Sequence, residues 1–482
     1  MRARVAAALF VPCLACAQGT APQAVDDLAL SRAVDPGPRG GSPSAGGVLA
    51  GLTHDEAAQF ADAREVFAEV DSVSGSVHGE ESSGLGPTFN ANSCAACHSE
   101  PAMGGSSPHP TLGFVKTVNP EIAMATLDRL AGRAQAVPPF ILSDGPVREA
   151  RFVKNKDGTD DGGVHALWTT AGRIDAPDCA LAQPDFAGEL RKNNVIFRIP
   201  TPMFGAGLVE NIADATLLAN LAATAAARQS FGIAGRFNHS GNDGTITRFG
   251  WKAQNKSLLV FSGEAYNVEQ GVTNELFPNK RARAAGCNLN PLPEDRTKLY
   301  GQGGSSKGTA VEMSGDVVSF ALFARLLAPP APATASRSEV NGQRLFASVG
   351  CALCHSPALL TEDSTYTGQS RQLIRPFSDF AIHHMGSNLA DGVSQGAAGP
   401  DEFRSAPLWG AGQRIFFLHD GRAGPKNGGL LAAIYAHRSV CSDSAVTSAD
   451  KPCGSEANGS VGKFAGLSTA DQQDILNFLR SL

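Results

Sequence analysis

Two pentapeptides of the chain have the form Cys-x-x-Cys-His, namely Cys94–His98 and Cys351–His355. Covalent haem attachment needs one thiol for each of two vinyl groups and an adjacent imidazole that can bind the iron, and this spacing supplies all three. The sequence therefore predicts two covalently bound haem c groups. The predicted attachment residues are Cys94, Cys97, Cys351 and Cys354, and the predicted proximal iron ligands are His98 and His355.

Two other chemistries use closely spaced cysteines. A redox dithiol is expected beside a β-α-β pattern, and a zinc site needs a second pair of ligands close by. The sequence around Cys94–His98 and Cys351–His355 shows neither feature, so it favours haem.

The second axial ligand decides what such a haem does. A second strong ligand gives an electron carrier, whereas an open face lets O2 or peroxide reach the iron. The other histidines after residue 17 are His54, His78, His109, His165, His239, His383, His384, His419 and His437.

Two histidine segments are the stronger candidates for that ligand. An apolar run ends at His419, and Asp420 beside it can orient an imidazole. His383 is followed by His384 and by Met385, whose thioether is also a haem ligand. Structural turn chemistry is the alternative explanation for both segments.

Further stretches of the chain carry a family resemblance. They are Gly84–Ala91, Arg198–Pro202, Phe204–Leu208, Arg248–Ala253, Glu269–Asn274, Leu389–Gly392, Phe403–Gly410 and Phe417–Arg422. With the two pentapeptides, they make the chain resemble the bacterial di-haem oxidoreductases often labelled thiol oxidoreductase-like. That group is a branch of the di-haem cytochrome c peroxidase superfamily, and the resemblance covers nearly all of residues 46–482.

The resemblance implies one haem for electron transfer and one that meets an oxidant. By analogy with related di-haem rubber oxygenases, His419 would be the distal ligand of the C-terminal haem, and the N-terminal haem would be open. Trp251 resembles a tryptophan that lies between the haems, and core packing is its alternative role. Glu269 resembles a distal acid–base residue, with a helix cap or an ion pair with arginine as the alternatives. The His383-His384 doublet departs from the His-Asp that is usual in the family.

The composition limits where the protein works and what it binds. A net charge of −6 and the lack of a long Lys/Arg run argue against a nucleic-acid partner. Residues Met1–Ala17 have the charged start, apolar run and small-residue end of a secretory signal peptide. Lipid attachment at Cys16 is a less favoured alternative. With no other apolar segment long enough to span a membrane, we expect a periplasmic or secreted protein.

The chain has ten cysteines, and four lie outside the signal peptide and the haem pentapeptides. In an oxidising compartment an even remainder suggests disulfides. Cys441 and Cys453 would close a short polar loop, and Cys179 would then pair with Cys287 by elimination. Four buried free thiols are the alternative.

The remaining elements must position these groups. Residues 18–50 are rich in Gly, Pro and Ser and are predicted to be a disordered tether. Thr53-His54-Asp55-Glu56 has the form of a capping box at the start of a helix, and Ser468–Asp471 has the same form near the C-terminus. The predicted elements between them are a strand at 195–199, a helix at 215–228, a short strand at 257–261 and a buried helix at 317–327.

The predicted fold class is mainly α, with two cytochrome c-like haem domains and a mixed α/β insertion between them. The domains would span 51–115 and 337–482, and the insertion at 116–330 would pack against both haems. The expected function is that of a peroxidase-type oxidoreductase that takes electrons from a small redox partner protein or donor and passes them to peroxide, O2 or a small-molecule substrate. The alternatives are a non-catalytic electron-transfer cytochrome and a haem dioxygenase of an apolar substrate.

Overall fold

A computed structural model describes residues 31–126, 135–290, 315–440 and 454–482. Its helices are α1 (His54–Phe67), α2 (Cys94–Cys97), α3 (Glu121–Met124), α4 (Phe186–Arg191), α5 (Ala206–Glu210), α6 (Asp214–Phe231), α7 (Leu258–Glu269), α8 (Asp316–Leu326), α9 (Arg337–Ser348), α10 (Gly386–Leu389), α11 (Gly429–Ala436), α12 (Asn458–Ala465) and α13 (Thr469–Ser481). Short 3-10 turns occupy Cys351–Leu353, Thr367–Gln369 and Pro425–Asn427.

The strands of the described residues form only two-stranded antiparallel ribbons. They are β1 (Thr88–Phe89), β2 (Glu149–Phe152), β3 (Trp168–Thr169), β4 (Val195–Arg198), β5 (Leu359–Leu360), β6 (Leu373–Ile374), β7 (Ile382–His384) and β8 (Glu402–Arg404). β1 pairs with β3, β2 with β4, β5 with β6, and β7 with β8. This part of the chain is therefore mainly α, as predicted, with small ribbons where segments distant in sequence meet.

Two pairs of packed helices organise the regions around the pentapeptides. α9 packs on α13, and α1 packs on α8. Gly342 lies at the first crossing, where an added Cβ would lie 1.9 Å from the Asp474 carbonyl oxygen, so only glycine permits this approach. At the second crossing the Phe67 and Phe323 rings stack with centroids 4.5 Å apart. The partner of α1 thus comes from the predicted insertion, so the predicted boundary at residue 115 does not separate two packed units.

The predicted helix starts agree with the structure. Thr53 Oγ1 accepts the Glu56 backbone N–H, and the Glu56 carboxylate accepts the Thr53 N–H. Ser468 likewise caps α13 by accepting the Asp471 N–H. These contacts satisfy N–H groups that the first turn of a helix leaves without a partner.

Residues 31–50 contradict the predicted disordered tether. Ala33 is buried in the core beneath α13, and Asp35 forms an ion pair with Arg480 at 2.7 Å. Val48 forms a bridge with Leu327. The Gly- and Pro-rich composition here gives an irregular but packed segment, because buried partners are available to it. Residues 1–30, with the predicted signal peptide and Cys16, lie outside the described residues.

Three of the four predicted elements in the middle of the chain are confirmed as β4, α6 and α8. The strand predicted at 257–261 is wrong, because Ser257 caps α7 by accepting the Val260 N–H at 3.2 Å. A short apolar run fits a strand or a buried helix equally well, and the capping serine decides between them.

Cys179 and Cys287 form the predicted disulfide. Cys441 and Cys453 lie outside the described residues. Within those residues we find no helix with the length and apolarity of a membrane span.

Candidate haem sites

Each pentapeptide lines its own cavity. The N-terminal cavity, with Cys94, Cys97 and His98 in its wall, has a volume of about 1270 Å³ counted out to its mouth. The C-terminal cavity, with Cys354 and His355 in its wall, measures about 1560 Å³ on the same basis. The two cavities are thus of similar size, and each has the thiols and the imidazole of one pentapeptide in its wall.

The predicted proximal histidines have matching surroundings. His98 Nδ1 lies 2.9 Å from the Gly105 carbonyl oxygen, and His355 Nδ1 lies 3.0 Å from that of Phe377. A carbonyl can only accept, so each Nδ1 carries the proton and each Nε2 keeps its lone pair. Burial lowers the pKa of both imidazoles, to about 4 for His355, so both are neutral at pH 7. A neutral imidazole with a fixed tautomer is what a metal ion requires.

The helix pairs hold these histidines in equivalent places. The Phe67 ring at the end of α1 meets the His98 ring at 6.2 Å, and Phe346 in α9 meets the His355 ring at 6.3 Å. The His98 N–H and the His355 N–H each donate to the carbonyl of the first cysteine of their own pentapeptide. All four pentapeptide cysteines are free thiols. The two sites therefore fit haem attachment in the same way.

His419 lies in the wall of the C-terminal cavity, as predicted. Its ring stacks on Phe403 at 4.3 Å, and burial lowers its pKa to about 4, so it is a neutral imidazole. Its carbonyl accepts the Ile199 N–H, which ties the loop to the end of β4. Asp420 was expected to orient the ring. Its carboxylate instead accepts from Arg422 Nε at 2.5 Å, and the contact with Phe403 supports the imidazole.

A second imidazole, from His437, lines the same cavity. His437 ends α11, and its Nδ1 lies 2.7 Å from the Ala433 carbonyl oxygen, which leaves Nε2 with a lone pair. The sequence pattern does not distinguish His437 from the other single histidines. In the structure His437 follows an apolar helix, just as His419 follows an apolar run. The C-terminal cavity thus offers two neutral imidazoles besides His355.

The His383-His384-Met385 segment separates into different roles. His383 contacts Glu456 through Nδ1 at 2.8 Å and Asp379 through Nε2 at 3.1 Å. Burial alone would lower the pKa of His383, but the neighbouring Cys354 and Asp379 raise it well above its usual value. Both ring nitrogens face carboxylate oxygens, which accept, so the imidazole carries two protons, has no lone pair for a metal and is a structural cation. Met385 is buried and lines the cavity.

Glu269 lies at the end of α7 in the wall of the N-terminal cavity. Its carboxyl accepts from Asn90 Nδ2 at 2.7 Å and shares a hydrogen bond with Glu149. Burial, and then the charge of Glu149, raise the pKa of Glu269 to about 8. Burial acts on Glu149 too, but the adjacent Arg151 and Arg198 keep its pKa below its usual value. At pH 7 the pair therefore holds one proton, on Glu269, beside the cavity.

Trp251 lies in the walls of both cavities. Its indole Nε1 donates to the Ile199 carbonyl at 3.0 Å, and its ring meets the His419 ring edge-on at 6.4 Å. Its neighbour Lys252 is fully buried and pairs with Asp391 at 3.1 Å, and Asp391 also pairs with Arg198 at 2.8 Å. This buried network joins three of the motif stretches and fixes the indole between the cavities.

The motif around Asn90 has a similar positioning role. Gly86 N–H donates to the Gln270 carbonyl at 2.9 Å, and the Asn90 N–H donates to that of Glu269 at 2.6 Å. An added Cβ on Gly86 would lie 2.0 Å from the Gly271 carbonyl oxygen, so the two stretches meet only because residue 86 is glycine. The contact holds Glu269 against the loop that precedes Cys94.

Comparison with known proteins places these sites in context. A family model described as "Di-haem oxidoreductase, putative peroxidase" matches residues 160–482, two thirds of the chain. The match includes Trp251, Glu269, Cys351–His355 and His419, and Cys94–His98 precedes it. A solved structure described as "Crystal structure of a MauG-like protein associated with microbial copper homeostasis" is similar over 52% of this chain and 77% of that chain, at 15% identity and a TM-score of 0.26. No curated protein matches.

Proposed function

This chain belongs to the di-haem oxidoreductase family, and from that premise we propose that it is an exported c-type enzyme that reduces a peroxide with electrons from a small redox partner. The N-terminal cavity is the proposed site of the oxidant. The C-terminal cavity is the proposed point where electrons are held before use. Thioether attachment would use Cys94 and Cys97 in the first cavity, and Cys351 and Cys354 in the second.

One observation carries the proposal: the two cavities have equivalent proximal histidines but different acid–base groups elsewhere in their walls. The N-terminal cavity has the protonated carboxyl of Glu269, whereas the C-terminal cavity has the neutral imidazoles of His419 and His437. A second imidazole in the cavity of His355 would suit an iron that only transfers electrons. A carboxylic acid in the cavity of His98 would suit an iron where oxygen is cleaved, because that reaction consumes protons.

Haem iron, when bound, supplies the electron transfer and the binding of oxygen that the side chains cannot. The chain contributes proton delivery. Reduction of hydrogen peroxide to two waters takes two electrons and two protons, and Glu269 can give one of these protons to the departing oxygen. Its partner Glu149 stays ionised, so it can receive the next proton and return it to Glu269.

Trp251 is the proposed route for the electrons. Its ring is in the wall of both cavities and in edge contact with His419, so it offers an aromatic path between them. The hydrogen bond from its Nε1 to Ile199 keeps the indole in one orientation.

The alternative functions receive less support. An electron carrier needs a strong second ligand in both cavities, and a carboxylic acid is a poor one. The wall of the N-terminal cavity combines apolar side chains with Glu121, Glu149, Glu264, Glu269, Arg151 and Arg198. An oxygenase of an apolar substrate has no need of these acids, whereas peroxide reduction consumes protons that Glu269 can supply.

A peroxide titration followed by optical and EPR spectroscopy tests the proposal. The purified protein should contain two covalent haems, one high-spin and one low-spin in the ferric state, and peroxide should consume the high-spin signal. A measured mass equal to that of the polypeptide alone would disprove covalent haem attachment. Two low-spin haems that do not react with peroxide would favour the electron-transfer alternative over the enzyme.

A further inference from the structure

Two arginines of the C-terminal cavity, the buried Arg404 and the half-buried Arg414, have no acidic partner within the described residues. Arg404, in β8, donates through Nε to the Gly250 carbonyl at 2.9 Å and through Nη1 to its neighbour Ser405 at 3.2 Å. Arg414 Nε and Nη2 are buried without any hydrogen-bond partner. Both residues are in the wall of the C-terminal cavity.

These guanidinium groups destabilise the folded protein as long as no anion is bound to them. A buried guanidinium normally forms an ion pair, because an isolated charge loses the solvation of water. Here burial lowers the pKa of each arginine to about 10, and the charge of Arg414 adds to the effect on Arg404. Other buried arginines have acidic partners: Arg198 pairs with Asp391, and Arg228 pairs with Asp379.

The pair lies at the boundary between the two cavities. The Arg414 guanidinium is 5.8 Å from the centre of the Trp251 ring and 5.9 Å from that of Phe417. A guanidinium holds its donors in a planar fork that matches a carboxylate. An anion at this point would therefore lie beside the indole, inside the cavity that contains Cys351 and Cys354.

We propose that Arg404 and Arg414 form a carboxylate-binding site that takes the propionate side chains of the haem attached at Cys351 and Cys354. The inference rests on the proposed function, since it requires haem in this cavity. Propionates bring negative charges on the same molecule that fills the cavity, so both guanidinium groups gain partners when the haem enters.

The site should also set the redox properties of that haem. Positive charge next to an iron disfavours the more positive ferric state. Arg414→Gln removes one charge and leaves a propionate without its partner, and both changes lower the reduction potential. We expect at least a tenfold shift in the reduction equilibrium of the low-spin haem, or about 59 mV for one electron.

The test uses the haem-loaded protein and two measurements other than activity. The midpoint potential of the low-spin haem and its propionate bending band in resonance Raman spectra are compared between wild type, R404Q and R414Q. Arg371→Gln is the matched control, because Arg371 pairs with Asp363 at the surface. It should leave both measurements unchanged.

The outcomes separate this inference from the proposed function. Absence of haem at Cys351 and Cys354 in the wild type would overturn the function. A full haem content with unchanged potential and band in R404Q and R414Q would overturn only the propionate site.

If R414Q does not fold and bind haem, R414K provides a second test. Lysine keeps the charge of Arg414 but not its planar fork, so the propionate band should shift while the midpoint potential stays near that of wild type. An unshifted band in R414K would also overturn the site. A potential that responds to added acetate in wild type would indicate a carboxylate from solution instead.

Discussion

Replacement of Glu269 by glutamine gives the sharpest test of proton delivery. Glutamine keeps the size of the side chain and a carbonyl that can accept from Asn90, but it has no proton to give. The N-terminal cavity should keep its shape, so the change isolates one chemical property of one side chain.

The structure sets the size of the effect. With a pKa of about 8, roughly 90% of Glu269 is protonated at pH 7, whereas at the usual 4.5 about 0.3% would be. General acid catalysis contributes roughly 10²–10⁴-fold. We therefore expect Glu269→Gln to slow the reaction with peroxide by that factor, or ~3–5 kcal/mol in the barrier.

The assay is the second-order rate constant for loss of the high-spin ferric signal on mixing with peroxide, measured across a range of pH. The acid form of Glu269 is present below its pKa and is lost above it. The wild-type rate should therefore fall as the pH rises through about 8, and the glutamine variant should lack this fall. Glu149→Gln removes a charge that raises the pKa of Glu269, so it should move the fall to lower pH.

Two results would refute this reasoning. One is a glutamine variant with the wild-type rate, and the other is a fall in rate above pH 8 that survives in that variant. Glu275→Gln is the control, because Glu275 is an exposed acid a few residues beyond Glu269. Its rate and pH profile should match those of wild type.

Four further variants test the other assignments. His419→Ala should turn the low-spin haem high-spin in EPR spectra while His437→Ala leaves it low-spin, and the reverse pattern would make His437 the ligand. Trp251→Phe should slow electron transfer between the haems after rapid reduction by pulse radiolysis; an unchanged rate would restrict Trp251 to core packing. Replacing both Cys179 and Cys287 by serine should lower the free energy of unfolding in urea by about 4–5 kcal/mol, since the bond spans 108 residues; a loss below 1 kcal/mol would show that the loop is constrained by packing instead.

Local patterns predicted the parts of the fold that local interactions determine. The capping box at Thr53, the Ala- and Leu-rich run of α6 and the apolar run of α8 depend on residues within a few turns of each other, and the structure contains all three elements. The packing of α1 on α8 depends on side chains more than 240 positions apart, so the sequence did not reveal which helix closes the first unit. Residues 31–50 became ordered for the same reason, because their partners are Arg480 and Leu327.

The candidate sites divide in the same way. The pentapeptide brings both thiols and the proximal imidazole together by spacing alone. His419 was indicated by its position after an apolar run and by the family resemblance, and Trp251 and Glu269 by the resemblance alone; the structure brings each to a cavity wall. The sequence did not reveal Glu149, because its role depends on contact with Glu269, which is distant in sequence. It did not reveal Arg404 and Arg414 either, because only the folded structure shows that they lack acidic partners.

The two cavities differ in what they accumulate, and this difference suggests an order of events. Glu121 and Glu269 in the N-terminal cavity both have a raised pKa, chiefly through burial, and Glu269 holds a proton at pH 7. Arg404 and Arg414 in the C-terminal cavity would favour the reduced state of an iron bound beside them, so that cavity is the proposed electron store. Peroxide reduction consumes both at one place. Because the acids lie in the N-terminal cavity, the proposed order has the electron leave the C-terminal cavity for it, and Trp251 lines both cavities on that route.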